Sequence, residues 1–119
     1  MKAMVVREPG DETVLALDEV AEPELLPGSL RIRVVAAGVN RADLMQRQGH
    51  YPPPPGASDL LGLECAGEVL EVAAGVSGWK PGDRVMALLT GGGYAEQVVV
   101  DAGSVLPVPQ HMDLEAAAA

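Results

Sequence analysis

Aromatic residues are nearly absent from this sequence of 119 residues, which has no Phe, one Trp and two Tyr. Hydrophobic residues nevertheless make up 48% of it, so the core must consist mainly of Val, Leu and Ala. A chain of this length is typical of one domain and buries roughly two thirds of the surface that its unfolded form exposes. We therefore expect one domain with an aliphatic core.

Basic residues and cysteines are also scarce. Eight Lys and Arg stand against 17 Asp and Glu, which argues against a nucleic-acid partner because a phosphate backbone needs cations to neutralise it. The single cysteine, Cys65, excludes an internal disulfide and fits a reducing compartment. No apolar run reaches about 18 residues, and the N-terminus is too charged for a signal peptide. The sequence therefore predicts a soluble, cytoplasmic protein with no membrane partner.

Short apolar segments separated by Gly and Pro predict a mainly β domain. The clearest strand lies in SLRIRVVAAGVN, where apolar and basic residues alternate. Further strands are predicted in MKAMVV, TVLALDEVAEP, DRVMALL and the two halves of QVVVDAGSVLPVP. One long, bent strand is predicted over LLGLECAGEVLEVAA, in which Gly62 and Gly67 mark bulges or close backbone approach.

The segment GVNRADLMQRQGHYPPPPG is unusually polar for this chain. Asn40 is predicted to cap a short helix, RADLMQRQ, with its side-chain oxygen accepting the amide N–H of Asp43, and Gly49 is placed to end that helix. The prolines that follow, Pro52 to Pro55, predict a stiff loop. Two interpretations fit the segment: a polar pocket with a rigid rim, or a capped surface helix with a stiff loop after it.

The C-terminal segment MDLEAAAA predicts the start of a second helix, with Asp113 as its cap. We expect its apolar end to be open to water, which would indicate that the chain is truncated there.

Several motifs are missing. There is no CxxC, HxxxH or Cys/His cluster, and His50 and His111 are far apart in sequence, so no zinc site is predicted within the chain. The run GGGYAE departs from a dinucleotide-binding fingerprint, because Glu96 occupies the position of the third glycine and no helix follows. It is more typical of a loop at a barrel rim, and any nucleotide cofactor would be bound mostly elsewhere.

The order of the remaining motifs resembles the zinc-free quinone oxidoreductases of the medium-chain dehydrogenase/reductase superfamily, over nearly all of the chain. NRADLMQRQG followed by YPPPPGAS is most similar to the branch that contains the tumour-suppressor-inducible quinone oxidoreductase. PGDRV and the pattern of Gly62, Glu64, Gly67 and Val69 are general to the superfamily.

This resemblance implies a GroES-like, partly open β-barrel with one short helix over residues 1–112, which is the catalytic or substrate domain. Residues 113–119 would begin the helix that leads to a Rossmann domain, absent from this chain, which holds most of the NADPH. The active site would lie in the cleft between the two domains. Complete members can form homodimers, and this chain alone is expected to be inactive.

The zinc-bearing relatives differ from this chain at their ligand positions. They carry a cysteine in the loop that here holds Val39 and Asn40, and a histidine where this chain has Leu63. They also insert a four-cysteine zinc lobe, and nothing similar follows Gly91. The resemblance is therefore to the zinc-free enzymes, and we expect no metal site.

The expected reaction is hydride transfer from NADPH to a quinone or activated enone, in which negative charge grows on an oxygen. Without zinc, hydrogen-bond donors must stabilise that charge. The predicted catalytic residues are Asn40, Tyr51 and Asp43, and the predicted cofactor-binding residues are Asn40, Arg41 and Asp43, which by resemblance match polar positions near the nicotinamide. A position that is often Tyr in the family is Met45 here, which favours a more apolar pocket.

Each of these residues also has a structural interpretation. Asn40 can be only a helix cap, Asp43 only a partner of the helix dipole, and Tyr51 only a ring stacked on prolines. The side chain of Arg41, like those of Arg47 and His50, is more often solvated than functional. Glu64 needs a partner in its apolar strand, either Arg84 or Arg41, or else it supports the active-site loop from behind. Cys65 is expected to be a small buried hydrophobe.

Two other functions stay open at this point. The chain can be a non-enzymatic GroES-like binding or assembly module, although such a module would not need the polar loop. It can also be a short protein that binds small ligands without turnover.

Overall fold

The computed structural model describes all 119 residues. It contains seven strands, two short α-helices and two 3-10 turns, so the predicted mainly β fold is confirmed. The elements are β1 Lys2–Val6, β2 Leu15–Glu19, β3 Ser29–Ala37, α1 Arg41–Arg47, β4 Glu64–Val72, β5 Arg84–Leu88, β6 Gln97–Asp101, β7 Val105–Pro107 and α2 Leu114–Ala117, with 3-10 turns at Glu12–Val14 and Ala102–Ser104.

Five of the strands form one antiparallel sheet in the order β6-β3-β4-β5-β7, and β1 pairs with β2 in a second, two-stranded sheet. An isolated bridge between Ala3 and Ala95 joins the second sheet to the chain just before β6. The core is aliphatic, as predicted: alternate residues of β3, Leu30 and Ile32, are fully buried. Each such side chain contributes about 1.5–3 kcal/mol through burial.

The long strand predicted over residues 60–74 is shorter in the structure. It begins at Glu64, because Gly62 adopts a φ of +110° that is incompatible with a strand. Residues 60–62 instead lie beside the glycine loop that precedes β6, where Gly92 N–H donates to the Leu60 carbonyl at 2.9 Å. The prediction of close backbone approach is confirmed for both glycines, since a Cβ would lie 2.0 Å from the Arg33 carbonyl oxygen at Gly67 and 2.6 Å from Gly93 Cα at Gly62.

The strand predicted from Thr13 also starts late. The Asp11 carboxylate accepts the N–H of Thr13 at 3.0 Å and caps the 3-10 turn Glu12–Val14, so β2 begins only at Leu15. A local hydrogen bond from an acidic side chain therefore takes precedence over the alternating pattern here.

The C-terminal segment forms α2, and Asp113 caps it as predicted by accepting the N–H of Ala116 at 2.8 Å. The expectation that its apolar end is open to water is wrong. Ala117 and Ala118 are buried against Ala66 and Val108, because the short helix lies on the five-stranded sheet. The domain boundary between residues 112 and 113 stays a prediction. Neither α-helix is both long and apolar enough to cross a membrane.

Candidate functional site

The polar segment after β3 folds as a capped helix followed by a loop. Asn40 and Asp43 form a capping box at the start of α1, in which the Asp43 carboxylate accepts the backbone N–H of Asn40 at 2.9 Å. Gly49, with a φ of +86°, ends the helix in a Schellman motif, where His50 N–H donates to the Met45 carbonyl at 2.8 Å. The positions of both predicted helix ends are confirmed. The predicted acceptor for the Asp43 N–H is wrong, because that N–H donates to the Asn40 backbone carbonyl at 3.0 Å and not to the side-chain oxygen.

Asp43 lies inside the molecule with only 2% of its surface exposed. Its two carboxylate oxygens accept three hydrogen bonds, from Asn40 N–H at 2.9 Å, Gly62 N–H at 3.1 Å and the Tyr94 hydroxyl at 2.9 Å. A buried carboxylate is tolerated when donors satisfy it in this way. These bonds join α1 to residues 60–62 and to the glycine loop, residues 91–94. The buried carboxylate therefore holds these three segments together and does not contact solvent or a ligand itself.

Tyr94 is a residue of this site that the sequence did not point out. Its backbone joins two other segments, since Tyr94 N–H donates to the Leu61 carbonyl at 3.0 Å and Met4 N–H donates to the Tyr94 carbonyl at 2.9 Å. Burial, and then the hydrogen bond and charge of Asp43, raise the pKa of Tyr94 well above its usual range. The hydroxyl therefore stays a donor at neutral pH. The only feature of the sequence that could have indicated a role for Tyr94 is its position as the one aromatic residue in the run GGGYAE.

Glu64 provides a second carboxylate next to Asn40. Asn40 Nδ2 donates to Glu64 Oε1 at 3.0 Å, and Glu64 makes no ion pair. Neither Arg84 nor Arg41 pairs with Glu64. Its side chain instead supports the polar segment after β3, through the bond to Asn40. Asn40 is thus fixed through its backbone by Asp43 and through its side chain by Glu64.

The other predicted site residues lie at the surface. Arg41 is exposed and forms no ion pair, and His50 is exposed as well. Tyr51 is 41% exposed, and its hydroxyl has no hydrogen-bond partner in the chain. Arg47 is different, because its Nε donates to the Gly10 carbonyl at 3.1 Å and joins α1 to the turn after β1. The structure therefore groups Asn40, Asp43 and Glu64, and leaves Tyr51 and Arg41 free.

Cys65 lies in the core with 1% of its surface exposed, as predicted. Burial raises the pKa of its thiol to about 12, so it is neutral and acts as a small apolar residue. No three side chains of His, Cys, Asp or Glu lie close enough to hold a metal ion. The zinc-free character of the site stays a prediction.

Comparison with known proteins places this chain in a family. The family model described as the alcohol dehydrogenase GroES-like domain matches residues 26–110. The mouse synaptic vesicle membrane protein VAT-1 homolog-like is 40% identical over 119 residues, which are 100% of this chain and 28% of that protein. The chain therefore spans less than a third of the length of this relative.

Two solved structures are similar over nearly the whole chain. The human synaptic vesicle membrane protein VAT-1 homolog-like protein superposes with a TM-score of 0.91 at 38% identity, covering 99% of this chain and 38% of that one. The Escherichia coli quinone oxidoreductase complexed with NADPH superposes with a TM-score of 0.88 at 29% identity, covering 99% of this chain and 36% of that one. The predicted GroES-like architecture is confirmed.

Proposed function

Because the chain belongs to the family of alcohol dehydrogenase GroES-like domains, we propose that it is the substrate-binding domain of an NADPH-dependent oxidoreductase that reduces a quinone or an activated enone. The observation that carries this proposal is the arrangement at the start of α1. Asn40 is fixed from two sides by Asp43 and Glu64, whereas Tyr51 is exposed close by in sequence with a free hydroxyl. One fixed donor and one free donor on the same segment suit a reaction that builds charge on oxygen.

The residues of this chain fit only a small part of a dinucleotide. Three amides of the glycine loop are already used, because Gly92, Gly93 and Tyr94 donate to the carbonyls of Leu60, Gly62 and Leu61. They are therefore not available to bind phosphate oxygens, and the loop continues into β6 instead of a helix. Arg41 is the side chain that suits a cofactor phosphate, since its guanidinium is exposed and unpaired.

The greater part of the cofactor site accordingly belongs to a Rossmann domain outside residues 1–119, as the resemblance to complete family members implies. NADPH held there would supply the hydride. On this proposal residues 1–112 form the substrate domain, residues 113–119 begin the connecting helix, and the complete protein can pair as a homodimer.

The chain's own residues then act on the substrate oxygen. Asn40 Nδ2 carries two N–H groups, of which one is bound to Glu64, so the second can donate to the oxygen that gains charge. The Tyr51 hydroxyl can donate as well, and its ring offers an apolar face to a planar quinone. Asp43 contributes as a positioning residue, because its oxygens are engaged inside the molecule. The loop of Val39 and Asn40 lacks the cysteine, and Leu63 replaces the histidine, with which the zinc-bearing relatives bind zinc; this favours a zinc-independent reaction.

NADPH oxidation with an ortho-quinone tests this function. The chain is assayed alone and after fusion to the cofactor-binding domain of the Escherichia coli quinone oxidoreductase. We expect no turnover by the chain alone and turnover by the fusion. In the fusion, Asn40→Ala should lower kcat by roughly 10²-fold, as for loss of one oxyanion donor, and Tyr51→Phe by roughly tenfold. Gln48→Ala, an exposed change after the same helix, is the matched control.

Three results would contradict the proposal. Turnover by the chain alone would place a complete cofactor site within residues 1–119. Equal rates for Asn40→Ala and the unchanged fusion would remove Asn40 from the reaction. A folded but inactive fusion, together with a ring of identical subunits formed by the chain alone, would favour the non-enzymatic assembly module.

A further inference from the structure

Glu64 is an unusual residue for its position. It is the first residue of β4, it is half-buried, and no cation pairs with it. Removing a carboxylate from water without a cation is unfavourable unless hydrogen bonds compensate. The side-chain partner that the structure gives it is Asn40 Nδ2, at 3.0 Å.

This contact decides which way the Asn40 amide faces. An ionised carboxylate only accepts hydrogen bonds, so Asn40 must turn its nitrogen to Glu64 and not its oxygen. The N–H of Asp43 is satisfied by the Asn40 backbone carbonyl at 3.0 Å, so the start of α1 does not need the Asn40 side-chain nitrogen or oxygen. Glu64 therefore assigns the nitrogen end of the side-chain amide, and one N–H of Nδ2 is left over.

We infer that Glu64 is a positioning residue that holds the Asn40 amide in the one orientation in which its second N–H can serve the substrate oxygen. This inference rests on the proposed function for its catalytic meaning. The orientation of Asn40 itself does not depend on turnover and can be measured in the chain alone.

Gly38 supports this inference independently. Because Gly38 has no side chain, the Glu64 carboxylate can lie directly against its Cα. A Cβ at position 38 would lie 2.2 Å from Glu64 Oε1 and 2.8 Å from Glu64 Cδ. The backbone of Gly38 is not in the left-handed region, so its conformation alone does not demand glycine. Gly38→Ala should therefore displace the Glu64 side chain while leaving the chemical groups of Glu64 and Asn40 unchanged.

The first arm of the test is an NMR spectrum of the side-chain amides in the isotope-labelled chain. In the unchanged chain we expect one Asn40 Nδ2 proton to be shifted downfield and protected from exchange by its bond to the carboxylate. The shift should be lost in Glu64→Ala and Gly38→Ala, and reduced in Glu64→Gln, which can offer either its oxygen or its nitrogen. Glu68→Gln is the matched control, since Glu68 lies on the same strand and pairs with Arg33 at 2.7 Å.

The second arm measures kcat and KM in the fusion to the cofactor-binding domain. Glu64→Gln should lower kcat by roughly tenfold with little change in KM, because an interaction made in the transition state is weakened. Gly38→Ala combined with Glu64→Ala should match Glu64→Ala alone, because the alanine at position 38 acts through Glu64.

Two outcomes would overturn the inference: Asn40 resonances that are unchanged in Glu64→Ala, or additive effects of Gly38→Ala and Glu64→Ala on kcat. If every fusion is inactive, the proposed function fails, and the NMR arm still decides whether Glu64 orients Asn40. If Gly38→Ala does not fold, the two substitutions of Glu64 decide the question alone.

Discussion

The start of α1 and the loop after it both carry polar side chains in the sequence, but they differ in the structure. At the start of α1, Asn40 and Asp43 are hydrogen-bonded to each other and to Glu64, Gly62 and Tyr94. In the loop, the side chains of His50 and Tyr51 are exposed and without partners in the chain. The first region is a scaffold, and the second is a surface that can contact a ligand.

The largest expected effect comes from breaking the scaffold at its buried carboxylate. Asp43→Ala would leave the Gly62 N–H and the Tyr94 hydroxyl without their acceptor, so we expect a loss of about 4 kcal/mol in the free energy of unfolding. Urea denaturation followed by Trp79 fluorescence measures it. Asp59→Ala, at an exposed acid in the loop region, should change this free energy by less than about 0.5 kcal/mol. Similar losses for the two variants would contradict the comparison.

A second way to break the scaffold is to add a methyl group where two backbones meet. Gly62→Ala would place a Cβ 2.6 Å from Gly93 Cα, in a backbone conformation with a φ of +110°. We expect a loss of about 3 kcal/mol from strain and overlap together. Gly75→Ala is the matched control, since its φ is +87° but nothing lies within 4 Å, and only strain of about 1 kcal/mol should remain. Equal losses in thermal or urea unfolding would show that the close approach of Gly62 and Gly93 is unimportant.

The same substitution at the two tyrosines sharpens the contrast between the regions. Tyr94→Phe removes the donor to the buried Asp43 carboxylate and should lower the free energy of unfolding by about 1.5 kcal/mol. Tyr51→Phe removes an exposed hydroxyl and should change it by less than about 0.5 kcal/mol. A larger effect at Tyr51 than at Tyr94 would reverse our assignment of scaffold and surface.

The smallest expected effect is a dependence on alkaline pH. The pKa of Tyr94 is raised on folding above 10.0, mainly by burial, so its contribution to stability is complete below pH 10 and is lost as the pH rises further. Tyr94→Phe should therefore show a shallower fall in unfolding free energy above pH 10 than the unchanged chain. The difference should be modest because the ring is partly exposed and water screens its charge.

Cys65 sets the background for this measurement. Burial raises its pKa from 9.0 to about 12, so it also favours folding at lower pH and loses that contribution above pH 9. Because Cys65 is present in both proteins, the difference between their pH profiles belongs to Tyr94. Identical profiles would contradict the raised pKa of Tyr94.

The sequence was sufficient for several features whose cause is local, although it did not predict the Asp11 cap that delays the start of β2. Alternation located β3, the caps at Asn40 and Asp113 located both helix starts, and Gly49 located the end of α1. It was insufficient where residues meet across the fold. Tyr94 and Asp43 are 51 positions apart, and nothing near either residue announces their bond.

Local patterns also misled about the start of β4 and about the surroundings of the C-terminal alanines. Gly62 lies in an apolar run typical of a strand, but its backbone bends to meet the glycine loop. The alanines at the C-terminus offered no polar or periodic sign of what they contact, and they are buried on the sheet. In both cases the local structure depends on a contact with a segment that is distant in sequence. Gly62 contacts the backbone of Gly93, and the C-terminal alanines contact the sheet.

The most direct test of the account is an NMR titration of the isotope-labelled chain with an ortho-quinone. The account predicts shifts at the Asn40 side-chain amide and at Tyr51, while the amides of Asp43 and Tyr94 stay unchanged because they belong to the scaffold. Shifts at Asp43 and Tyr94 with none at Asn40 and Tyr51 would contradict the central claim that the fixed amide and the exposed loop together form the substrate surface.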